Sequence, residues 1–168
     1  MADSIDAADE ASERAELFER IARSFAQVPR PEPPVTEDAG PLNREVESAL
    51  AGKAAEEITP DDARDARFGL WLLSPEAFHY YHPALLRYVL PVDAPYVDGL
   101  GEAVFEVLVP RENEELQRVF EQRMALLDEA QRDALADYVA WHLANESVVP
   151  LRADAEAYWL RGSSRDCG

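Results

Sequence analysis

Three histidines and one glutamate are the residues of this chain whose types and spacing come nearest to a chemistry. His79 and His82 stand three apart, a separation at which two imidazoles on a helix can meet one ion, and His142 is followed four residues later by Glu146. Two histidines and a carboxylate are a common donor set at catalytic metals. His79, His142 and Glu146 therefore frame one hypothesis, a small metal-dependent enzyme or regulator. Against it, the spacing matches no established ligand run such as His-Glu-x-x-His, and Pro83 would swing the imidazoles of His79 and His82 apart. Structural, hydrogen-bonded histidines are the better-supported expectation, and no metal or cofactor is assigned.

Other chemistries have less to stand on. Cys167 is the only cysteine, next to the C-terminal residue, so neither an intrachain disulfide nor a cysteine metal site can form. Ser74 precedes Pro75 and Glu76, which is the grammar of a helix cap, and no serine sits in a Gly-x-Ser-x-Gly turn. Acid pairs such as Asp61 with Asp62 are common by chance at this composition. Gly99 and Gly101 lack the third glycine and the preceding strand of a phosphate-binding loop. No catalytic residue is assigned, and the balance leans away from an enzyme.

Recognition is what remains. The chain has 168 residues, with 34 Asp and Glu against 16 Lys and Arg, a formal net charge of -18. The acids are spread through both halves. Such a field repels nucleic acid and anionic membranes and steers a basic protein partner inward. An apolar fraction of 47% with three Trp, six Phe and six Tyr is ample for a core. The acidic N-terminus does not read as a secretory signal, no stretch is apolar enough to span a membrane, and a cytoplasmic location is expected. Glu76, Tyr80 and Arg87 mark a solvent-facing side of the helix that follows Ser74 and are the candidate partner-binding residues. Trp71 and Tyr81 are assigned to the core.

The elements that must position these groups read as helices. Residues 1–9 form an acidic, fraying N-terminus, and residues 10–27 an amphipathic helix with Leu17, Phe18, Ile21 and Phe25 on one face. Five prolines make residues 28–41 a stiff extended connector. A short helix over 42–51 ends at Gly52, and Thr59 caps a helix running toward Leu73. Ser74 caps the next, in which Phe78, Tyr81, Leu85 and Tyr88 form a stripe and Pro83 predicts a kink or break at His82. Residues 98–108 favour helix over strand, and 112–126 form a helix with Leu116, Val119, Phe120 and Met124 aligned. Asp128 and Gln131 make a capping box for a long helix through Leu143. A last helix over 153–161 turns Tyr158 and Trp159 inward and stops at Gly162. The expected architecture is all-α: one compact domain over 10–162 with about six to eight helices, followed by a flexible C-terminus over 163–168.

The run Ser-Pro-Glu-Ala-Phe-x-Tyr-Tyr-x-Pro-Ala-Leu-Leu at Ser74 to Leu86 resembles the signature of an uncharacterised bacterial family, a domain of unknown function. The resemblance extends to Ala51-Gly52-Lys53, to Phe120 and Arg123 in a Phe-x-x-Arg helix, to Gln131, and to the Tyr158-Trp159 pair. It implies a small all-helical fold and no reaction, cofactor or catalytic residue. His82 departs from the pattern, where leucine is usual, and Asp128 stands where Ser or Thr is common. The expected function is a small acidic cytoplasmic interaction protein, of an immunity or antitoxin kind, that engages a basic partner.

Overall fold

The computed structural model describes residues 2–37, 40–146 and 151–161. Helix α1 spans Ala2–Ser24 and buries Leu17 and Ile21 along the stripe that its 3.6-residue period dictates, with Phe25 buried in the turn just past its end. It stops three residues earlier than its pattern suggests. The Ser24 hydroxyl donates back to the Ile21 carbonyl at 2.9 Å, a local bond that competes with further helix. The connector then runs without helix until it meets Leu73 through an isolated antiparallel bridge at Thr36. There Ser74 donates its N–H to the Val35 carbonyl at 2.9 Å, and Glu47 accepts from both the N–H and the hydroxyl of Thr36, at 2.7 and 2.8 Å.

Helix α2 (Pro41–Leu50) supplies that glutamate, and Gly52 follows it at φ 76, the left-handed conformation that only glycine adopts without strain. Helix α3 (Pro60–Ala66) opens with a capping box. The Thr59 hydroxyl accepts from Asp62 N–H at 3.2 Å, and the Asp62 carboxylate accepts from Thr59 N–H at 2.9 Å. Burial works against the ionised Asp62, but hydrogen bonds from Lys53 and Thr59 outweigh it and lower the acid's pKa. The chain tightens into a 3-10 segment over Arg67–Leu72, with Gly69 pressed on α2 so closely that a Cβ there would collide with Val46.

Helix α4 (Pro75–Leu85) starts at Ser74, whose hydroxyl accepts from Ala77 N–H. The break expected at His82 does not occur, and the helix runs through Pro83 to Leu85 before tightening into a 3-10 turn over Leu86–Tyr88. Pro83 removes the bond to the His79 carbonyl, yet Tyr81, His82, Ala84 and Leu85 around it are all buried, and that packing keeps the helix on course. Helix α5 (Leu100–Glu106) follows Gly99, held at φ 70, and lies against the 3-10 segment 67–72. Helix α6 (Glu114–Ala125) is capped by Asn113 and packs on α4, and α7 (Glu129–Asn145) is capped by Asp128 and packs on α1. Helix α8 (Arg152–Ala155) passes into a π-helical turn over Glu156–Leu160, where Trp159 donates to the Leu108 carbonyl at 2.6 Å.

The described residues thus form eight α-helices and no strand around one core, a single compact helical domain. Gly162 and the residues after it lie outside those described.

Candidate functional site

Each of the three histidines that opened the chemical question packs against groups of the chain itself. His79 Nε2 lies 2.8 Å from Gln131 Oε1 and its ring meets Phe25 edge-on. The same Gln131 oxygen accepts from Asp128 N–H while its amide donates to the Ser24 carbonyl, so the His79 nitrogen is the donor. His82 is buried and gives its Nε2 proton to the Val104 carbonyl at 2.8 Å, with Nδ1 left without a partner. Burial pushes its pKa down to about 4, so the ring is neutral at physiological pH. His142 stacks on Phe105 with ring centroids 4.2 Å apart, and Glu146 is exposed at the C-terminal cap of α7. His79, His142 and Glu146 therefore do not meet as ligands. Among the described residues no group of three or more His, Cys, Asp or Glu side chains is placed to hold an ion. Cys167 lies outside the described residues.

The tyrosines of the aromatic run clamp a single loop. Tyr81 donates to the Lys53 carbonyl at 3.2 Å, Tyr80 accepts from Ala55 N–H at 3.1 Å, and Tyr88 donates to the Ile58 carbonyl. The Tyr81 bond to Lys53 brings the two motifs Ala51–Lys53 and Ser74–Leu86 together directly, while the Lys53 ammonium pairs with Asp62 at 2.6 Å. Glu76, Tyr80 and Arg87 do share one side of α4 and its 3-10 extension by spacing. Only Glu76 is exposed, whereas Tyr80 and Arg87 are half-buried.

An open apolar surface lies elsewhere. Phe68 is 64% exposed and Trp71 49%, both on the 3-10 segment 67–72, and Trp71 had been expected inside. They border a groove of about 490 Å³ between that segment, α5 and α6. Leu116, expected on the buried stripe of α6, is instead 37% exposed and lines the same groove, while Arg123 takes an interior position. The Arg123 Nη2 donates to the carbonyls of Trp71 and Leu73, both at 2.7 Å, and its guanidinium lies 5.2 Å from the Phe78 ring centre. These carbonyls end the 3-10 segment, where a cation is favoured. The Trp71 indole donates to the Phe68 carbonyl at 3.1 Å, and the Arg67 guanidinium sits 4.0 Å over the Phe68 ring. Each exposed aromatic thereby has a polar partner within its own segment.

Sequence reasoning missed Phe68, Trp71 and the role of Arg123. The one local signal was Gly69 between the two aromatics, where the close approach of Val46 leaves no room for a Cβ.

Comparison with curated proteins and with solved structures gave no match. The model of a family of unknown function, DUF6714, matches residues 13–162, nearly the whole chain, and the chain belongs to that family.

Proposed function

We propose that this chain is a cytoplasmic protein-interaction module of an immunity or antitoxin kind, and that it docks a protein partner, basic overall, at the groove bordered by Phe68 and Trp71. The observation that carries the reading is the pair of aromatics itself. Both are exposed, yet Trp71 is hydrogen-bonded and Phe68 is packed by a guanidinium within their own segment, contacts that lower the ordering cost of using a large apolar side chain in binding. The net charge of -18 supports a basic partner at longer range. The test compares partners captured by the wild-type chain and by a Phe68→Ser, Trp71→Ser double variant, each at low and high salt. A basic protein that the wild type retains, the variant loses and high salt weakens is the expected result. A partner set identical for both chains and indifferent to salt overturns it.

A further inference from the structure

The groove differs in charge from the molecule around it. Acids outnumber bases 34 to 16 along the chain, but here three guanidiniums, those of Arg67, Arg111 and Arg123, face the two carboxylates of Glu102 and Glu106. Glu106 already lies 3.6 Å from Arg111. Among the described residues neither Arg67 nor Arg123 has a carboxylate within ion-pair distance. Three arginine Nε atoms of the described residues are buried without a hydrogen-bond partner, and two of them are those of Arg67 and Arg123.

Arg123 is the more telling of the two. It is only 4% exposed, and burial, partly countered by the charge of Glu37, brings its pKa down to about 10. A buried cation ordinarily has an anionic neighbour, because desolvation of an isolated charge is costly. Here the carbonyls of Trp71 and Leu73 take one nitrogen, Glu37 acts on the guanidinium only from beyond ion-pair distance, and among the described residues no carboxylate pairs with it directly. Arg67, Arg123 and the two exposed aromatics border the same open volume.

We infer that the segment entering this groove is a stretch of the protein partner in which an apolar anchor stands beside an Asp or Glu. The anchor covers Phe68 and Trp71, and the carboxylate faces Arg67 and Arg123. This rests on the docking reading above and adds the chemistry of the occupant. A second copy of the chain fits poorly, because each copy would bring a net charge of -18 to the contact. An overall basic partner with a local acid is consistent with both scales of charge. The field of the whole chain acts at approach, and within the roughly 8 Å screening length of physiological salt the groove's own guanidiniums dominate.

The experiment selects peptides from a random display library on the immobilised full chain, then measures the enriched peptides in solution by fluorescence anisotropy. Each is compared with its amide version, Asp→Asn or Glu→Gln, on the wild type, on Arg67→Gln and on the Phe68→Ser, Trp71→Ser double variant. Arg67 also packs on Phe68, so the readout on Arg67→Gln is the ratio of acid to amide affinity rather than affinity itself, with circular dichroism checking the fold; Arg123→Gln is avoided because it removes a structural clamp. The expected result is an apolar–acidic pair in the selected peptides and a loss of about tenfold on amide replacement that shrinks to about twofold on Arg67→Gln. Amide and acid peptides that bind the wild type equally, but fail on the double variant, overturn the acidic occupant and leave the docking reading standing. Enriched peptides that are basic do the same. Peptides that bind the double variant as tightly as the wild type, or a selection that enriches nothing, overturn both.

Discussion

Two aromatic stretches lie within twenty-five residues of one another and serve opposite ends. In the run from Phe78 to Tyr88, rings fill the core and hydroxyls reach across to the loop at 53–58, so both the apolar and the polar part of each tyrosine has an internal partner. In the segment from Arg67 to Leu72, the Arg67 guanidinium lies over the Phe68 ring and the Trp71 indole bonds a backbone carbonyl of its own turn, and much of both rings is left exposed. Aromatic content alone does not separate a core from a recognition surface. What separates them is whether the polar groups around a ring tie it to distant parts of the chain or only to its own turn. The first arrangement resists removal because many elements lose a contact together. The second costs the fold little and keeps apolar area available to another molecule.

The contrast breaks most visibly under truncation. Phe78→Ala should cost about 3–5 kcal/mol in urea unfolding, since the ring is 1% exposed and leaves a cavity. Phe68→Ala should stay within about 0.5 kcal/mol. Similar losses at the two positions would show that Phe68 supports the core after all.

Acid should act on the first stretch next. The folded pKa of His82 is about 4 against an ordinary value of 6.5, so the unfolded chain binds the proton first as pH falls. The stability due to the neutral ring is fully present above pH 6.5 and declines toward pH 4, by something on the order of 3 kcal/mol. His82→Leu should flatten that part of the stability profile relative to wild type, a difference readable from denaturation midpoints at pH 7, 5.5 and 4.5. Parallel profiles would place the acid sensitivity elsewhere.

The smallest effect sharpens the comparison at the level of one hydroxyl. Tyr81→Phe removes a buried donor to the Lys53 carbonyl and should cost about 1 kcal/mol. Trp71→Phe removes an exposed donor to its own turn and should cost only a few tenths. Hydrogen exchange at residues 53–58 should rise in the first variant and not in the second.

The features legible in the sequence were those governed by local chemistry. Thr59, Ser74 and Asp128 cap helices because their short oxygen-bearing side chains reach amides two or three residues ahead, and Gly52 ends α2 because it tolerates a positive φ. Features set by contacts between distant segments were not. Trp71 and Leu116 were expected inside on hydrophobicity, but the close approach of Gly69 to Val46 fixes the path of the 3-10 segment, and that contact spans two helices. Arg123 belonged to a recognisable motif, yet its interior position depends on carbonyls about fifty residues earlier. The continuity of α4 through Pro83 is likewise a product of packing. Of the site, the histidines and Glu146 were visible but do not form a three-ligand group among the described residues, and the groove was not visible at all.

Gln131 joins the start of α7 to the end of α1 and the middle of α4, and its bond to Ser24 closes a separation of 107 residues. During synthesis this order has a temporal cost. Leu17, Ile21 and Phe25 leave the ribosome long before α7 exists to cover them, and at typical elongation rates the interval is about 5–20 s. For that time the nascent chain carries an uncovered apolar stripe. The dense charge that flanks it on α1 then serves as a solubilising tag for an unfinished protein, a role that ends when the last long helix docks.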